Sequence, residues 1–273
     1  MIVDQALAAR IERAEGAFIA ACSRAIESRH GVAAFQEPVA GGIASYAGPE
    51  SPFNKVAGTG FDGLPSTTEL SSIEERYDTV GAAVSFEIST LADPEIFELL
   101  TARGYLLVSF EDVLVCELGD RRPRPAAGIE VRRAEDELET WMAIAVESAL
   151  RGDTAGVPQH DTFPRSALEI AEQAGVDAGA QAFMALLDGQ PAGSGGLHVV
   201  GEIAQLTGAG TLPEHRRRGV QTALVQARLA GASAAGCSYA VVTTQPGSTS
   251  QANMRRAGFE LGYTRAVLTR PVR

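Results

Sequence analysis

The feature that most constrains the fold is a pattern that occurs twice along the chain, 154 residues apart. Ser85–Val115 aligns without a gap on Tyr239–Thr269, and each segment has an apolar strand pattern, a short helix pattern, a Gly-aromatic pair and a second apolar strand pattern. Identities are few, and any two α/β stretches share some pattern, so the common order of elements carries the argument. That order favours two copies of one α/β unit over a chance resemblance.

A chain of 273 residues has room for two such units of about 100 to 150 residues each. Gly119–Gly128 (GDRRPRPAAG) combines two prolines and several charges with small residues and shows no apolar periodicity, which indicates a linker. We therefore expect a first domain at residues 1–120, a linker at 121–127 and a second domain at 128–273.

The second half of the chain has the clearer order of elements. Ile129–Ala134 alternates as a strand does, and Asp136–Leu150 repeats its apolar residues at helical spacing. A second helix pattern, Pro164–Gly175, precedes three meandering strands, after which the chain runs strand, helix, strand, helix, strand. This order predicts an α/β fold of the α+β kind, with a mixed sheet rather than a doubly wound one.

Charge is distributed unevenly along the sequence. Residues 1–204 hold 32 acidic and 14 basic residues, a net charge of -18, whereas residues 205–273 hold 2 acidic and 9 basic residues, a net charge of +7. The basic part contains Pro213–Gln226 (PEHRRRGVQTALVQ), in which a strand pattern ends, three arginines follow, and Gly219 opens an apolar helix. An anionic ligand therefore has one favoured place to bind.

The start of a helix suits an anion because its first backbone N–H groups lack partners and carry the positive end of the helix dipole. A glycine in the preceding turn lets these groups close around a phosphate. We interpret the run as a diphosphate site, with a solvated basic turn and a DNA-reading helix as the other interpretations. The acidic remainder of the chain argues against DNA. The glycine-rich stretches Gly193–Val199 and Thr207–Thr211 lack the spacing of nucleotide-binding loops.

Pro213–Val225 resembles the acyl-CoA-binding motif of the GNAT superfamily of N-acetyltransferases, whose pattern is P-x-x-[RQ]-x-x-G-x-[GA]. Pro213, Arg216 and Gly219 are in register with that motif, and Gln221 stands where a small residue is usual. Downstream, SQANMRRAGFELGYT resembles the closing helix and strand of the family. The resemblance covers about residues 128–273 and, more faintly, 40–118.

The chain therefore resembles a tandem GNAT protein with a degenerate first copy, because GFDGLP stands in the first copy where the second has EHRRRG. The resemblance implies two domains, each with a central mixed, mostly antiparallel sheet flanked by helices. It also implies acetyl-CoA as cosubstrate, with the diphosphate on the backbone amides of the turn and the pantetheine beside the preceding strand. The residues implied in binding are Thr211, Leu212, Arg216, Arg217, Arg218, Gly219, Val220, Gln221, Thr222, Ser250 and Asn253.

The resemblance also suggests catalytic groups. The amide of Leu212 would polarise the thioester carbonyl, as an oxyanion-hole donor does. Many family members use a tyrosine as general acid at the position of Met254, which cannot donate a proton, so either another group such as Tyr263 serves or the thiolate takes its proton from water. Glu202 and His198 are the candidates for the general base.

The function implied is transfer of an acetyl group from acetyl-CoA to a primary amine of a small molecule or peptide. An acidic surface favours a cationic acceptor. Two alternatives stay open. One is a catalytically inactive CoA-binding sensor or assembly module, and the other is an acyltransferase that uses a longer acyl-CoA.

Composition gives little support to other classes of function. Cys22, Cys116 and Cys237 are scattered, as are the four histidines, so we expect no metal and interpret the cysteines as buried apolar residues. The N-terminal run is acidic, unlike a targeting peptide, and no apolar run reaches the about 20 residues of a membrane span. We expect a cytoplasmic protein without nucleic-acid or membrane partners, and an oligomer is compatible with the sequence.

Overall fold

A computed structural model describes residues 2–120, 127–153, 156–157 and 162–272. The expected linker lies outside the described residues except for its last position. Contacts divide the chain into two compact units. Unit 1 comprises the described residues within Met1–Val113, His160–Ala167 and Leu261–Arg273, and unit 2 comprises those within Leu114–Gln159 and Leu168–Glu260.

The helices and strands alternate along much of the chain. The helices are α1 (Gln5–His30), α2 (Thr67–Thr79), α3 (Glu95–Ala102), α4 (Leu138–Leu150), α5 (Arg165–Asp177), α6 (Val220–Ala234) and α7 (Thr249–Arg256). The strands are β1 (Phe35–Val39), β2 (Gly42–Tyr46), β3 (Lys55–Ala57), β4 (Val84–Ser89), β5 (Leu106–Glu117), β6 (Ile129–Arg133), β7 (Gln181–Leu187), β8 (Gln190–Val200), β9 (Ile203–Thr211), β10 (Tyr239–Thr244) and β11 (Glu260–Arg270). Short 3-10 turns precede α4 and α6.

Unit 1 contains a mixed sheet covered by the long helix α1. The pairs β1·β2 and β2·β3 are antiparallel, β3 and β4 are parallel, and β4 pairs antiparallel with β11. The Asp4 side chain accepts a hydrogen bond from the Leu7 amide at the start of α1, and Gly31 ends that helix in the left-handed conformation. The apolar core of unit 1 includes Tyr77, Phe86 and Leu100, which are fully buried.

β11 belongs to unit 1 from Leu261 onward because it pairs with β4 over Arg265–Arg270. Residues 114–117 of β5 group by contact with unit 2. The expected boundary at residues 121–127 assigns β11 to the second domain. The contacts instead group most of β11 with the first half of the chain. A sequence repeat specifies the order of elements but not which sheet partner a final strand takes.

Unit 2 contains the antiparallel meander β6–β7–β8–β9, followed by β10 parallel to β9. α6 packs on one face of the sheet, where an added Cβ at Gly231 would lie 3.2 Å from the Phe183 ring. Ser148 of α4 and Glu172 of α5 lie against the opposite face, at glycines of β9. These layers confirm the expected mixed α/β fold with flanking helices.

The element order expected from the repeat is observed at the same offset. α3 and α7 coincide residue for residue when the chain is shifted by 154, since Glu95–Ala102 overlays Thr249–Arg256. The ends of β3 and β9, Ala57 and Thr211, coincide as well. All three cysteines are buried free thiols, as expected.

Candidate functional site

β9 and β10 separate at one end and leave an opening in the sheet of unit 2. Their parallel ladder joins Ile203 to Tyr239 and continues only to Gln205 with Val241. Both strands run on, to Thr211 and Thr244 respectively. Beyond Gln205, the backbone N–H and C=O groups on the β10 side of β9 therefore form no ladder hydrogen bonds with β10.

The turn that follows β9 has an unusual backbone. Arg217 has φ +62° and Gly219 has φ +87°, so both lie in the left-handed region. Arginine rarely adopts that conformation, and residues held in it concentrate at functional sites. Backbone turns with left-handed residues direct successive N–H groups to one side, where they form a concave anion site.

The start of α6 has no side-chain cap among the described residues. Gly219 is the N-cap residue, it makes no side-chain cap hydrogen bond, and the first turn carries no acidic residue. At the corresponding place in unit 1, the Ser66 hydroxyl and the Glu69 carboxylate form a capping box at the start of α2. The helix start of unit 1 is thus filled by its own side chains, whereas the amides of Val220, Gln221 and Thr222 remain for a ligand.

The three arginines have different surroundings. Arg216 folds back, with Nε donating to the Thr211 carbonyl at 3.2 Å and Nη2 donating to the Arg151 carbonyl, so it braces the turn. Arg218 makes an exposed ion pair with Asp188 at 3.0 Å. Arg217 is exposed at the left-handed position. Arg217 and Arg218 are therefore the cationic side chains beside the turn, and Arg216 holds its shape.

α7 brings another predicted pair of residues together. The Asn253 amide donates to the Gln221 side-chain oxygen, which links α7 to the first turn of α6. Ser250 is exposed one turn earlier on α7. Met254 is buried in the core of unit 2, as its apolar side chain requires.

Leu212 does not serve as the predicted oxyanion donor. Its amide donates to the Ala192 carbonyl at 3.0 Å, so the N–H group is already used by the β8·β9 pairing. The prediction came from the position of the residue in the motif. It fails because the strand ladder continues as far as this residue.

Tyr263 and Glu202 make other contacts in the structure, and their catalytic roles stay predictions. Tyr263 lies in unit 1, is 4% exposed, and donates to Glu12 at 2.6 Å, and burial raises the pKa of its hydroxyl well above the usual range. Glu202 lies in the turn before β9, nine residues before Thr211, which corresponds to about 30 Å along an extended strand. The Glu202 carbonyl accepts hydrogen bonds from the Ser238 and Tyr239 amides at the closed end of the ladder.

His198 is a buried strand residue opposite Gln205. Burial lowers the pKa of its imidazole, and a hydrogen bond to the Ala178 backbone opposes that change. The ring therefore ties β8 to the segment after α5, at the closed part of the β9·β10 ladder.

Two residues that the sequence did not single out lie over the open part of β9. The Glu172 carboxylate oxygens would be 2.8 and 3.1 Å from a Cβ at Gly208, and the Ser148 Cβ would be 2.2 Å from one at Gly210. Glycine at position 210 permits the approach of Ser148, and Gly208 leaves the space that the end of the Glu172 side chain occupies. The spacing of Gly208 and Gly210 in the sequence indicates that other side chains pack on that face of β9. The structure is needed to identify them as Glu172 and Ser148.

Glu172 is a carboxyl group without partners among the described residues. Burial raises its pKa to about 7, and no charged group or hydrogen-bond donor in the described chain lowers it. The hydroxyls of Ser148, Ser194 and Thr211 are also buried without a hydrogen-bond partner among those residues. Because buried polar groups are nearly always satisfied, this set indicates a polar ligand along the open part of β9.

The described residues also bear on other classes of site. They contain no group of three or more His, Cys, Asp or Glu side chains placed to hold a metal ion. No helix within the described ranges combines the length and apolar character needed to cross a bilayer.

Comparisons with known proteins agree with this geometry. Residues 138–259 match the family model described as the acetyltransferase (GNAT) family. A GCN5-related N-acetyltransferase from Kribbella flavida is similar over 94% of this chain and 95% of its own, with 21% identity and a TM-score of 0.63. A GCN5-related N-acetyltransferase from Sphaerobacter thermophilus is similar over 95% of this chain and 92% of its own, with 18% identity and a TM-score of 0.56.

A tandem GNAT protein from the clavulanic acid biosynthesis pathway is similar over 84% of this chain and 78% of its own, with 15% identity and a TM-score of 0.59. At such identities the structural neighbours establish the fold. No curated protein matches the chain. The family match spans the opening, the turn and the helix start described above. Residues 138–259 therefore form an acetyltransferase domain of the GNAT family.

Proposed function

We propose that unit 2 binds acetyl-CoA and transfers its acetyl group to a primary amine of a small molecule or peptide. The observation that carries this proposal is the uncapped start of α6 beside the opening between β9 and β10. A diphosphate is the ligand that such a helix start and its two neighbouring arginines suit best. Acetyl-CoA carries a diphosphate at one end of a polar arm and a reactive thioester at the other.

The residues present fit the two parts of this cosubstrate differently. The amides from Arg217 to Thr222 would hold the diphosphate, with Gly219 allowing its close approach. The unpaired edge of β9 would accept and donate hydrogen bonds to the amides of the pantetheine arm, much as a neighbouring strand would. The hydroxyls of Ser148 on α4 and Ser194 on β8, which have no hydrogen-bond partner among the described residues, offer further partners. Bound this way, the thioester supplies the acyl group, and the protein supplies orientation.

The acceptor is proposed to be a cationic amine. Residues 1–204 carry a net charge of -18, and the whole chain carries -11, so a cation is drawn toward the molecule and an anion is repelled. The two copies of the repeat support a tandem GNAT arrangement in which only the second copy binds acetyl-CoA. We also propose a cytoplasmic location, where acetyl-CoA is supplied by metabolism.

The test compares Gly219→Asp with Gly219→Asn. Both side chains tolerate a left-handed residue better than most, and they differ by one charge, so the pair separates electrostatics from backbone strain. We expect Gly219→Asp to raise the Kd for acetyl-CoA at least tenfold over Gly219→Asn, because the carboxylate adds a negative charge near the diphosphate. Isothermal titration measures both, with circular dichroism to verify folding. Equal affinities for the two variants would mean that the diphosphate binds elsewhere.

Free thiol release in the presence of a panel of primary amines then distinguishes catalysis from binding alone. Release above the acetyl-CoA hydrolysis background excludes a pure CoA sensor. Ranking acyl-CoAs of increasing chain length by thermal shift separates an acetyl donor from a longer one, because the tightest ligand gives the largest stabilisation at equal concentration.

A further inference from the structure

We propose that Glu172 of α5 is the general base that takes a proton from the acceptor amine, an inference that rests on acetyl-CoA binding in unit 2. The assignment differs from the sequence-based candidates Glu202 and His198, both of which lie toward the closed end of the β9·β10 ladder. The Glu172 carboxylate extends from α5 to β9.

Glu172 reaches the one part of β9 where a bulge meets the opening. Thr207 pairs with Gly196 and Gly210 pairs with Ser194, so β9 has one residue more than β8 between these pairs. Gly208 sits in that bulge with φ +50°, and the Glu172 carboxylate packs where its side chain would be. Bulges are common beside active sites because they redirect backbone groups and end strand pairing.

The bulge is also held from the other face of the sheet. Arg228 of α6 is 1% exposed and donates to the Gly196 carbonyl at 3.2 Å and to the Thr207 carbonyl at 3.3 Å. Gly195 leaves room for its guanidinium, since an added Cβ would lie 2.9 Å from Cζ. The strand segment under Glu172 is therefore fixed in place, and a carboxylate resting on it has a defined position relative to the opening.

The chemistry of the acceptor requires such a group. Primary alkylamines have a pKa near 10, so only about one molecule in a thousand is neutral and nucleophilic at pH 7. Glu172 has a pKa raised to about 7 and is therefore both ionised and basic enough near neutrality to take a proton, the condition under which general bases work best. A carboxylate held by an arginine or by hydrogen bonds would be a weaker base, and among the described residues none holds Glu172.

The step balances with groups already named. The ammonium loses one proton to the Glu172 carboxylate, and the nitrogen lone pair forms an N–C bond to the thioester carbonyl carbon. The C–S bond breaks, and its electron pair leaves on sulfur. The nitrogen releases its second proton to water, the thiolate takes a proton from water, and Glu172 returns its proton to solvent. The products are an amide, CoA thiol and one proton.

The test is the pH profile of the wild-type chain and of Glu172→Gln, with n-butylamine, cadaverine, spermidine and Nα-acetyl-lysine as acceptors. We expect Glu172→Gln to lower kcat about 100-fold or more at pH 7 with an unchanged Kd for acetyl-CoA. We also expect the wild-type rate to rise through pH 7 and level off. The rate of the variant should instead climb about tenfold per pH unit toward pH 10, following the neutral amine, so that the difference shrinks.

Glu169→Gln is the matched control, since Glu169 is exposed on the same helix one turn earlier and loses the same charge. It should leave the rate near that of the wild type. Equal rates for Glu172→Gln and the wild type overturn the assignment, as does a uniform loss at every pH. Binding of acetyl-CoA with no turnover of any amine also overturns it while leaving the cosubstrate site intact. Failure to bind acetyl-CoA rejects the proposed function itself.

Discussion

At the scale of single residues, two glycines decide where charge can be placed in unit 2. Gly219 gives the turn before α6 its left-handed conformation, which directs backbone amides toward an anion. Gly208 leaves the space in which the Glu172 carboxylate rests on β9. Gly219 thus lies in a turn whose amides are positive, and Gly208 lies beneath a carboxylate. Both belong to the segment that runs from β9 through the turn to α6.

The raised pKa of Glu172 predicts a pH-dependent stability that needs no substrate. An acidic group with a folded-state pKa of about 7, against an ordinary value of 4.5, is protonated more readily in the folded protein. The folded state therefore loses stability as pH rises from 4.5 to 7 and regains none above that range. Glu172→Gln removes the ionisation, so it should gain up to about 3 kcal/mol relative to the wild type between pH 4 and pH 8.

Urea unfolding of the two proteins at pH 4, 6 and 8 measures this gain. A constant difference between Glu172→Gln and the wild type across that range would show that the carboxyl group is not buried as described. Glu169→Gln again controls for the loss of a negative charge on α5.

At the scale of elements, α2 and α6 show how one architecture acquires two different helix starts. Their positions correspond in the repeat, yet α2 begins with the capping box of Ser66 and Glu69, and α6 begins with an uncapped glycine. A capping box adds a carboxylate where a diphosphate would have to bind, so it both stabilises α2 and excludes an anion. The difference between the two helix starts is therefore a matter of a few side chains.

The last strand contributes an element-scale prediction, because β11 carries the buried Arg265. This residue is fully buried and donates to Glu12 at 2.7 Å and to Glu15 at 2.5 and 3.0 Å. Arg265→Met leaves the carboxylates of α1 buried without their cation, which should lower the free energy of unfolding by about 3–5 kcal/mol. Arg13→Met breaks the exposed pair with Asp62 and should cost less than about 1 kcal/mol.

Denaturant unfolding of Arg265→Met and Arg13→Met measures the two losses in stability. Similar midpoints for Arg265→Met and Arg13→Met would contradict the packing of β11 against α1 within unit 1. The same network includes Tyr263, whose hydroxyl donates to Glu12.

At the scale of the whole molecule, patterns along the sequence predict the order of elements and the turn before α6 but not the position of Glu172. The offset of 154 residues located α3 and α7 correctly, because short helices and strands leave periodic apolar marks. The strand–Arg–Gly–helix run located the turn, because glycine and helix starts act locally. The sequence does not single out Glu172, because its position depends on α5 packing over β9. Glu172 and Gly208 are 36 positions apart, and no local pattern encodes their contact.

The same reason limits the choice of catalytic residues from the sequence. Tyr263, Glu202 and Leu212 were chosen by their distance in sequence from a motif, whereas the pairing of β11 with β4 and of β8 with β9 decides what their atoms contact. Partners across a sheet follow from topology, which the sequence of one chain specifies only jointly with all its other contacts.

The most direct measurement is the stoichiometry of acetyl-CoA binding to the whole chain by isothermal titration calorimetry. If the uncapped start of α6 holds the diphosphate and the capping box closes α2, the isotherm saturates at one acetyl-CoA per chain. Saturation at two per chain would show that the capped helix start of unit 1 also binds, and a titration without saturable heat would remove the site in unit 2 altogether.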